Sequence, residues 1–333
     1  MIQTALFRIS LTLILAWFLL VLKEVLPESI IPLGADGWFM SEIIRVDPSP
    51  FYYRSILTLW IHKVIYLIGK PYGLDGWYAI AVSSSLAGGI ALQALWAIRS
   101  HPLFLAINIL SGSFFIFVGH VENYGWVNAF QLLTYWRLKL WIEEDRPLYP
   151  AVIFLMLACF SHMMILFYIP AYVYLFWKKR DYHPYEILLP VVCFSLINTG
   201  LLLSVRFGGT DNGLERLVPF FEKWSKSHHF TFFTWEHLRI KLYFYHRAAF
   251  LLIPLEFPLL LILHRYINKL LYKFLLLCTL CAFIWTIFWH PDWGPADWDL
   301  FSQFGIPLHV LLGLVVTDYV ESFRKNDTAP AQF

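Results

Sequence analysis

Apolar runs of roughly 17 to 25 residues recur along the whole chain, separated by short clusters of charges and turn formers. As an α-helix, such a run crosses a hydrocarbon core of about 30 Å. In lipid, only helices and closed barrels satisfy every backbone polar group. The pattern predicts about ten spans, near Ala5–Leu22, Trp77–Ile98, Pro102–Val118, Trp126–Trp141, Tyr149–Phe160, Met163–Trp177, Ile187–Val205, Ala248–Leu263, Leu270–Trp289 and Phe304–Val320. Between the first two lies a stretch of a different kind. Over Tyr52–Leu67, Ser55, Thr58, His62 and Lys63 gather on one helical face and Ile56, Leu57, Trp60, Ile61 and Val64 on the other. That periodicity predicts an amphipathic helix along the membrane surface, with a short span as the alternative. The connections include a first external loop over 23–50 and a long one over 206–246, where Gly208, Gly209, Asn212 and Gly213 are turn formers. The reading is a single transmembrane domain over 1–325 with a disordered tail over 326–333. The first run is long for a signal sequence and is followed by Lys23, Glu24 and Pro27 with no small-x-small site, so it reads as a retained span.

Composition removes the soluble alternatives. Of 333 residues 59% are hydrophobic, mean hydropathy is +0.60, and 30 Phe, 18 Tyr and 15 Trp supply both packing and interfacial belts. The net charge of +2 contains no basic domain for nucleic acid. Cys159, Cys193, Cys278 and Cys281 fall inside apolar runs and read as buried thiols. Charge placement orients the spans. Arg99, Lys178–Arg180, Arg265–Lys269 and Arg324–Lys325 fall on the side of the N-terminus, whereas GHVENYG, SHM and HPDWGPADWDLF fall opposite and lack Lys and Arg. By the positive-inside rule the N-terminus is cytoplasmic, in the inner membrane of a cell envelope.

That topology sorts the ionisable residues that are hard to explain as surface. Asp36, Glu42 and Asp47, then His120 and Glu122, then His162, then His290, Asp292, Asp297 and Asp299 all come out on the extracytoplasmic face. An ionised Asp at the bilayer centre costs about 2.5 to 3.5 kcal/mol on insertion scales, so acids and imidazoles supplied by several loops at one depth point to a functional cavity. Blander roles stay open: His162 as cap of a helix break, Glu122 and Asn123 as caps of the fourth span, Asp297 or Asp299 as cap of the last, and His228 and His229 as polar loop.

Four motifs in order resemble a known family: GHVENY (119–124), SHM (161–163), FTWEHL (233–238) and DWDLF (297–301). The chain resembles a bacterial branch of the GT-C-fold membrane glycosyltransferases, the superfamily of protein O-mannosyltransferases and aminoarabinose transferases. His120 stands where the family motif has tyrosine, and ADGW around Asp36 is a loose match to its acidic first-loop motif. The resemblance implies an all-α polytopic fold and sugar transfer from a polyprenyl-phosphate donor to an acceptor on the extracytoplasmic side. It carries the general base onto Asp36, with Glu122, Asp297 and Asp299 as further catalytic candidates. A departing phosphate needs cationic or hydrogen-bonding partners; the candidates are Arg45, Arg54, Arg206, Arg216, Arg239, His120 and His290, with His162 and His237 as further substrate contacts. Asp297, Asp299 and His290 together suit a divalent metal, but no spacing is diagnostic, so no cofactor is assigned. Two rivals use the same residues differently: a transporter or flippase for a lipid-linked or small polar solute, with ionisable groups at mid-membrane, and a non-catalytic assembly subunit.

Overall fold

The computed structural model describes residues 2–27, 36–48, 50, 55–189, 191–192, 195–196, 217–223, 230–251, 253–291 and 294–327. In chain order the helices are α1 (Ile2–Val25), α2 (Gly37–Val46), α3 (Ile56–Gly69), α4 (Gly76–Ile98), α5 (Pro102–Ile109), α6 (Tyr124–Glu144), α7 (Tyr149–Ser161), α8 (Ile169–Lys178), α9 (Trp235–Ala248), α10 (Glu256–Ile262), α11 (Leu270–Phe288), α12 (Trp298–Phe301) and α13 (Gly305–Asp327). Short 3₁₀ segments cover Gly112–Phe117, Met163–Tyr168 and Gly294–Asp297.

Among the described residues four helices, α1, α4, α11 and α13, are long and apolar enough to cross a membrane, and shorter apolar helices accompany them. The seventh expected span falls mostly outside the described residues. The sequence pattern also expects single spans at 102–118 and 248–263, and both are broken. α5 stops at Ile109, and α9 ends at Ala248, before a left-handed Leu251 at φ 48° and the short α10. The two breaks repair each other. Gly112 N–H donates to Ala249 O and Leu251 N–H to Leu110 O, each at 2.9 Å, and Ser111 and Phe250 form an isolated β-bridge. Irregular backbone survives in an apolar interior only when its polar groups are paired in this way. Beside the breaks, Glu256 accepts from the Phe250 N–H and pairs with His309 Nε2 at 2.9 Å, both side chains buried.

α1 lies on the outside and packs on α4, where Gly88 and Gly89 leave room for it. A Cβ on Gly89 would stand 2.6 Å from Thr12 O, a close approach of the small-residue kind. One large core joins α4, α5, α6, α7, α8, α11 and α13. A smaller core holds α2, α3 and the first turns of α4 through Met40, Ile44, Leu59, Tyr66, Ala79, Ile80, Ala81 and Val121.

α3 carries a polar and an apolar face, but the polar face is turned to protein. Ser55, Thr58, His62 and Lys63 are buried, whereas Trp60, Val64 and Ile68 on the apolar face are exposed. The polar face has protein partners: Thr58 Oγ1 donates to Ser161 O at 3.0 Å, and Lys63 Nζ donates to Ile44 O and Asp47 O at 2.7 Å each, capping the C-terminus of α2. An apolar face left outward suits contact with lipid.

The opposite end of the bundle is tied by charge. Asp318 on α13 takes Arg99 at 2.6 Å, Lys269 at 2.7 Å and the Tyr272 hydroxyl at 2.7 Å, and Glu321 takes Arg99 at 2.8 Å. Two of the basic ends read from the sequence, at Arg99 and at Lys269, therefore meet on the acids near the foot of α13.

Candidate active site

The other end of α4, α6, α11 and α13 gathers the acids. α2 begins at Asp36, whose side chain does not cap it. Instead the Asp36 N–H donates to Glu122 Oε1, 86 residues away in sequence. A carboxylate at the start of a helix meets its unpaired N–H groups and the positive end of its dipole, so Glu122 does cap a helix, but α2 rather than the span that follows it. Gly37 makes the contact possible, because a Cβ there would run into Val121 O.

DWDLF closes on the same loop. Asp299 holds both its oxygens in fixed bonds: Oδ1 accepts the Leu300 N–H at 2.8 Å, and Oδ2 faces His120 Nε2 at 2.8 Å. Both side chains are buried, and the Trp298 ring lies 5.2 Å from the His120 ring. The last helix starts only at Gly305, so Asp299 is not its cap. Burial, followed by the charges of Asp299 and Asp36 and, more weakly, Asp297, pushes the Glu122 carboxyl well above the ordinary range, against the opposing pull of the Asp36 N–H. Carboxylates from the first loop, from GHVENY and from DWDLF are thus near enough to act on one another. His162 ends α7, accepts the Met164 N–H at 3.2 Å, and stands 5.3 Å from the Tyr124 ring. Its capping role is real, and it lies beside the cluster as well.

Two basic side chains, His120 and Lys241, stand in this region. Lys241, on α9, is 3% exposed, donates to Trp289 O at 2.7 Å and lies 4.3 Å from the Phe301 ring centre. Burial pushes its ammonium well below its ordinary range, and Asp297 opposes that shift. The sequence reading passed over Lys241 because residues 206–246 looked like a polar connection. Read as a helix from Trp235, His237 and Lys241 share a face at i and i+4. His237 is spoken for: its ring nitrogens face Phe232 O at 2.8 Å and Ile287 O at 3.1 Å, fixing α9 to the end of α11. His290 is buried on Phe230, ring centres 4.7 Å apart. Arg45 turns outward into an exposed pair with Glu42 at 2.7 Å, and Arg239 is exposed. Arg54, Arg206, Arg216, His228, His229 and Asp292 lie outside the described residues. Among the described residues no group of three or more His, Cys, Asp or Glu is arranged to hold a metal.

An apolar groove of about 1220 Å³ runs along α1 against α4, α5, α6 and the 112–117 segment. Its lining on α1 and the residue just past it extends from Phe7 to Leu26, about 28 Å at 1.5 Å per residue, which is close to a full hydrocarbon thickness. One end meets Arg8, Thr12 and Gln93 and the other Leu26 and Val118. Lys23 packs against Gly119, so the second end lies two residues before His120.

No family model matches the chain, and no curated protein does. Two solved structures of ArnT from Cupriavidus metallidurans do. The one bound to undecaprenyl phosphate superposes with a TM-score of 0.61 at 13% identity, over 95% of this chain and 60% of that one. The apo state gives 0.56 at 14% identity, over 86% and 56%. The chain has an ArnT-like fold. It spans about 60% of the length of the solved chain, and at this identity the likeness is one of architecture alone.

Proposed function

We propose that the chain is a GT-C-type glycosyltransferase of the inner membrane that moves a sugar from a polyprenyl-phosphate donor to an acceptor on the extracytoplasmic face. The observation that carries this reading is the convergence of Asp36, Glu122, Asp297 and Asp299 at one end of the bundle, beside one end of a long apolar groove. A phospholipid acyl chain fills one leaflet, whereas a groove of this length suits a long isoprenoid chain. Bound undecaprenyl phosphate in one ArnT structure is consistent with that choice.

In the proposed step an acceptor hydroxyl oxygen attacks the anomeric carbon and the carbon–oxygen bond to phosphate breaks. The electron pair leaves with the phosphate, and the hydroxyl proton passes to the Asp36 carboxylate. Glu122 positions Asp36 through its N–H, Asp299 orients His120, and His120 and Lys241 face the leaving phosphate. The transfer assay uses purified protein in nanodiscs with radiolabelled polyprenyl-phosphate sugars. Shortening the donor chain to two isoprene units should lower kcat/KM more than about tenfold, since each buried CH₂ contributes about 0.8 kcal/mol. Leu15→Trp, which narrows the groove, should raise KM for the long donor and leave the short one nearly unchanged. No transfer from any polyprenyl-phosphate sugar would end this reading.

Orientation is tested separately. A reporter fused after Lys179 should be cytoplasmic and one inserted after Gly294 extracytoplasmic; both on one side would separate the donor from the carboxylates.

The transporter reading keeps one observation in its favour, the paired helix breaks at 110–112 and 249–251, beside the buried Glu256 and His309. Those breaks bond to each other, and Glu256 and His309 hold backbone groups at Phe250 and Gly305, which is the behaviour of a clamp.

A further inference from the structure

Glu122 gives one carboxyl oxygen to the Asp36 N–H; the other, Oε2, is buried and has no hydrogen-bond partner among the described residues. The same is true of its surroundings. Thr58 and His62 on α3, with Ser55 at its N-cap, form one buried polar stripe. Thr58 reaches Ser161 at the end of α7, and the His62 ring faces the Glu122 backbone without a hydrogen bond of normal geometry. On α4, Ala81 packs in the small core with α2 and α3. Ser84 and Ser85, three and four residues on, continue that face, and Ser84 lies against Gly125. At this junction Ser55 Oγ, both His62 ring nitrogens, Ser84 Oγ, Ser85 Oγ, Asn123 Oδ1 and Ser161 Oγ all lack a partner among the described residues, although none of these residues is more than 3% exposed. An unpaired buried polar group costs about 1–3 kcal/mol, and folded proteins keep few of them. So many, where three helices meet one loop, require a ligand that both donates and accepts. Water is that ligand, and a polar site with several partners holds it well.

We propose that this junction holds a cluster of buried waters that bonds the second oxygen of Glu122 and exchanges protons with it, with His62 as the positioning residue that anchors the waters. The exchange is balanced within the cluster: the carboxyl O–H bond breaks as a water O–H bond forms, and the reverse step restores it. Burial pushes His62 down to about 3, so the ring stays neutral, with one N–H donor and one acceptor nitrogen to hold water on either side. The other groups near Glu122 are Asp36, Asp297, Asp299 and Tyr124. His120 is bonded to Asp299, His162 lies against Tyr124, and Lys63 is turned to the α2 carbonyls. Under the glycosyltransferase reading, each turnover delivers one proton to the carboxylate cluster, and these waters are its way out. Only that purpose rests on the reading; the waters and their exchange do not.

The test needs no substrate. X-ray radiolytic footprinting of the full chain in nanodiscs labels side chains that touch bound water, so buried His62 should be oxidised as fast as an exposed histidine. In parallel, infrared titration follows the protonated Glu122 carboxyl band, identified by its loss in Glu122→Gln. His62→Leu removes the anchors and deepens desolvation, so the band midpoint should move up by about one pH unit; His62→Gln, which keeps polar atoms there, should stay near wild type. An unlabelled His62, or the same midpoint in His62→Leu and wild type, overturns the proposal. If His62→Leu does not fold, the wild-type footprint still decides. A labelled His62 in a protein that transfers no sugar would uphold the waters and remove the enzyme.

Discussion

Asp299→Asn is expected to lower sugar transfer about 10²- to 10⁴-fold while leaving the unfolding temperature within a few degrees of wild type. Asn has the same shape, and its carbonyl oxygen can still accept the Leu300 N–H. Its amide nitrogen must then face His120 Nε2, where the carboxylate oxygen stood at 2.8 Å. Two donors cannot share that bond, so the imidazole proton moves to Nδ1, and the ring loses the carboxylate charge that would support a positive charge on it as the phosphate leaves. His120→Ala should lose a similar factor. If the two residues act as one unit, the double variant should be little worse than either alone. The contrast is Arg45→Ala. Sequence placed Arg45 among the phosphate ligands, but the guanidinium is exposed and held by Glu42. A surface pair of that kind contributes about 0–1 kcal/mol, so transfer should change less than about twofold. Steady-state transfer assays and thermal unfolding on all four variants separate these outcomes, and full activity in Asp299→Asn would remove the dyad from the site.

What the sequence made legible follows from where its information is local. α4, α6 and α11 stand within three residues of their expected limits, because each is an apolar run closed by charge or by a turn former, and α13 begins one residue late but runs seven past its expected end. The α7 break at Ser161–His162 was readable for the same reason. The break after Ile109 was not: 102–118 is apolar throughout, and what stops the helix is the backbone of residues 249–251 from across the bundle. α3 shows a related limit. Its two faces were correctly sorted, but whether a polar face meets water or protein depends on partners such as Ser161 O and the α2 carbonyls. In the site, topology placed GHVENY and DWDLF at one end, yet the pairings of Asp36 with Glu122 and of His120 with Asp299 join residues 86 and 179 positions apart. No periodicity encodes such a register. Lys241 escaped for want of recognising the helix that carries it.

Glu122→Gln is expected to move activity and stability in opposite directions. The native carboxyl is buried, with Asp299, Asp36 and Asp297 nearby, and its pKa is raised well above the 4.5 of an ordinary glutamate. In the unfolded chain the same group titrates near its ordinary value. The stability that the protonated form contributes is therefore complete below the unfolded pKa. It is lost as pH rises from there through the native pKa, because the unfolded chain ionises freely while the native site resists. Gln remains neutral throughout and can still accept the Asp36 N–H. Its unfolding temperature should match wild type in acid and exceed it increasingly towards neutral and alkaline pH. Transfer should fall about 10²-fold, since Gln keeps the bond to Asp36 but cannot pass on the proton that Asp36 takes from the acceptor. Strain kept at a working site in exchange for activity is a common trade. Thermal unfolding across the pH range, paired with the transfer assay, measures both. A Gln variant less stable than wild type by the same margin at every pH would mean that Glu122 serves only to cap α2, with no electrostatic strain stored among the four carboxylates.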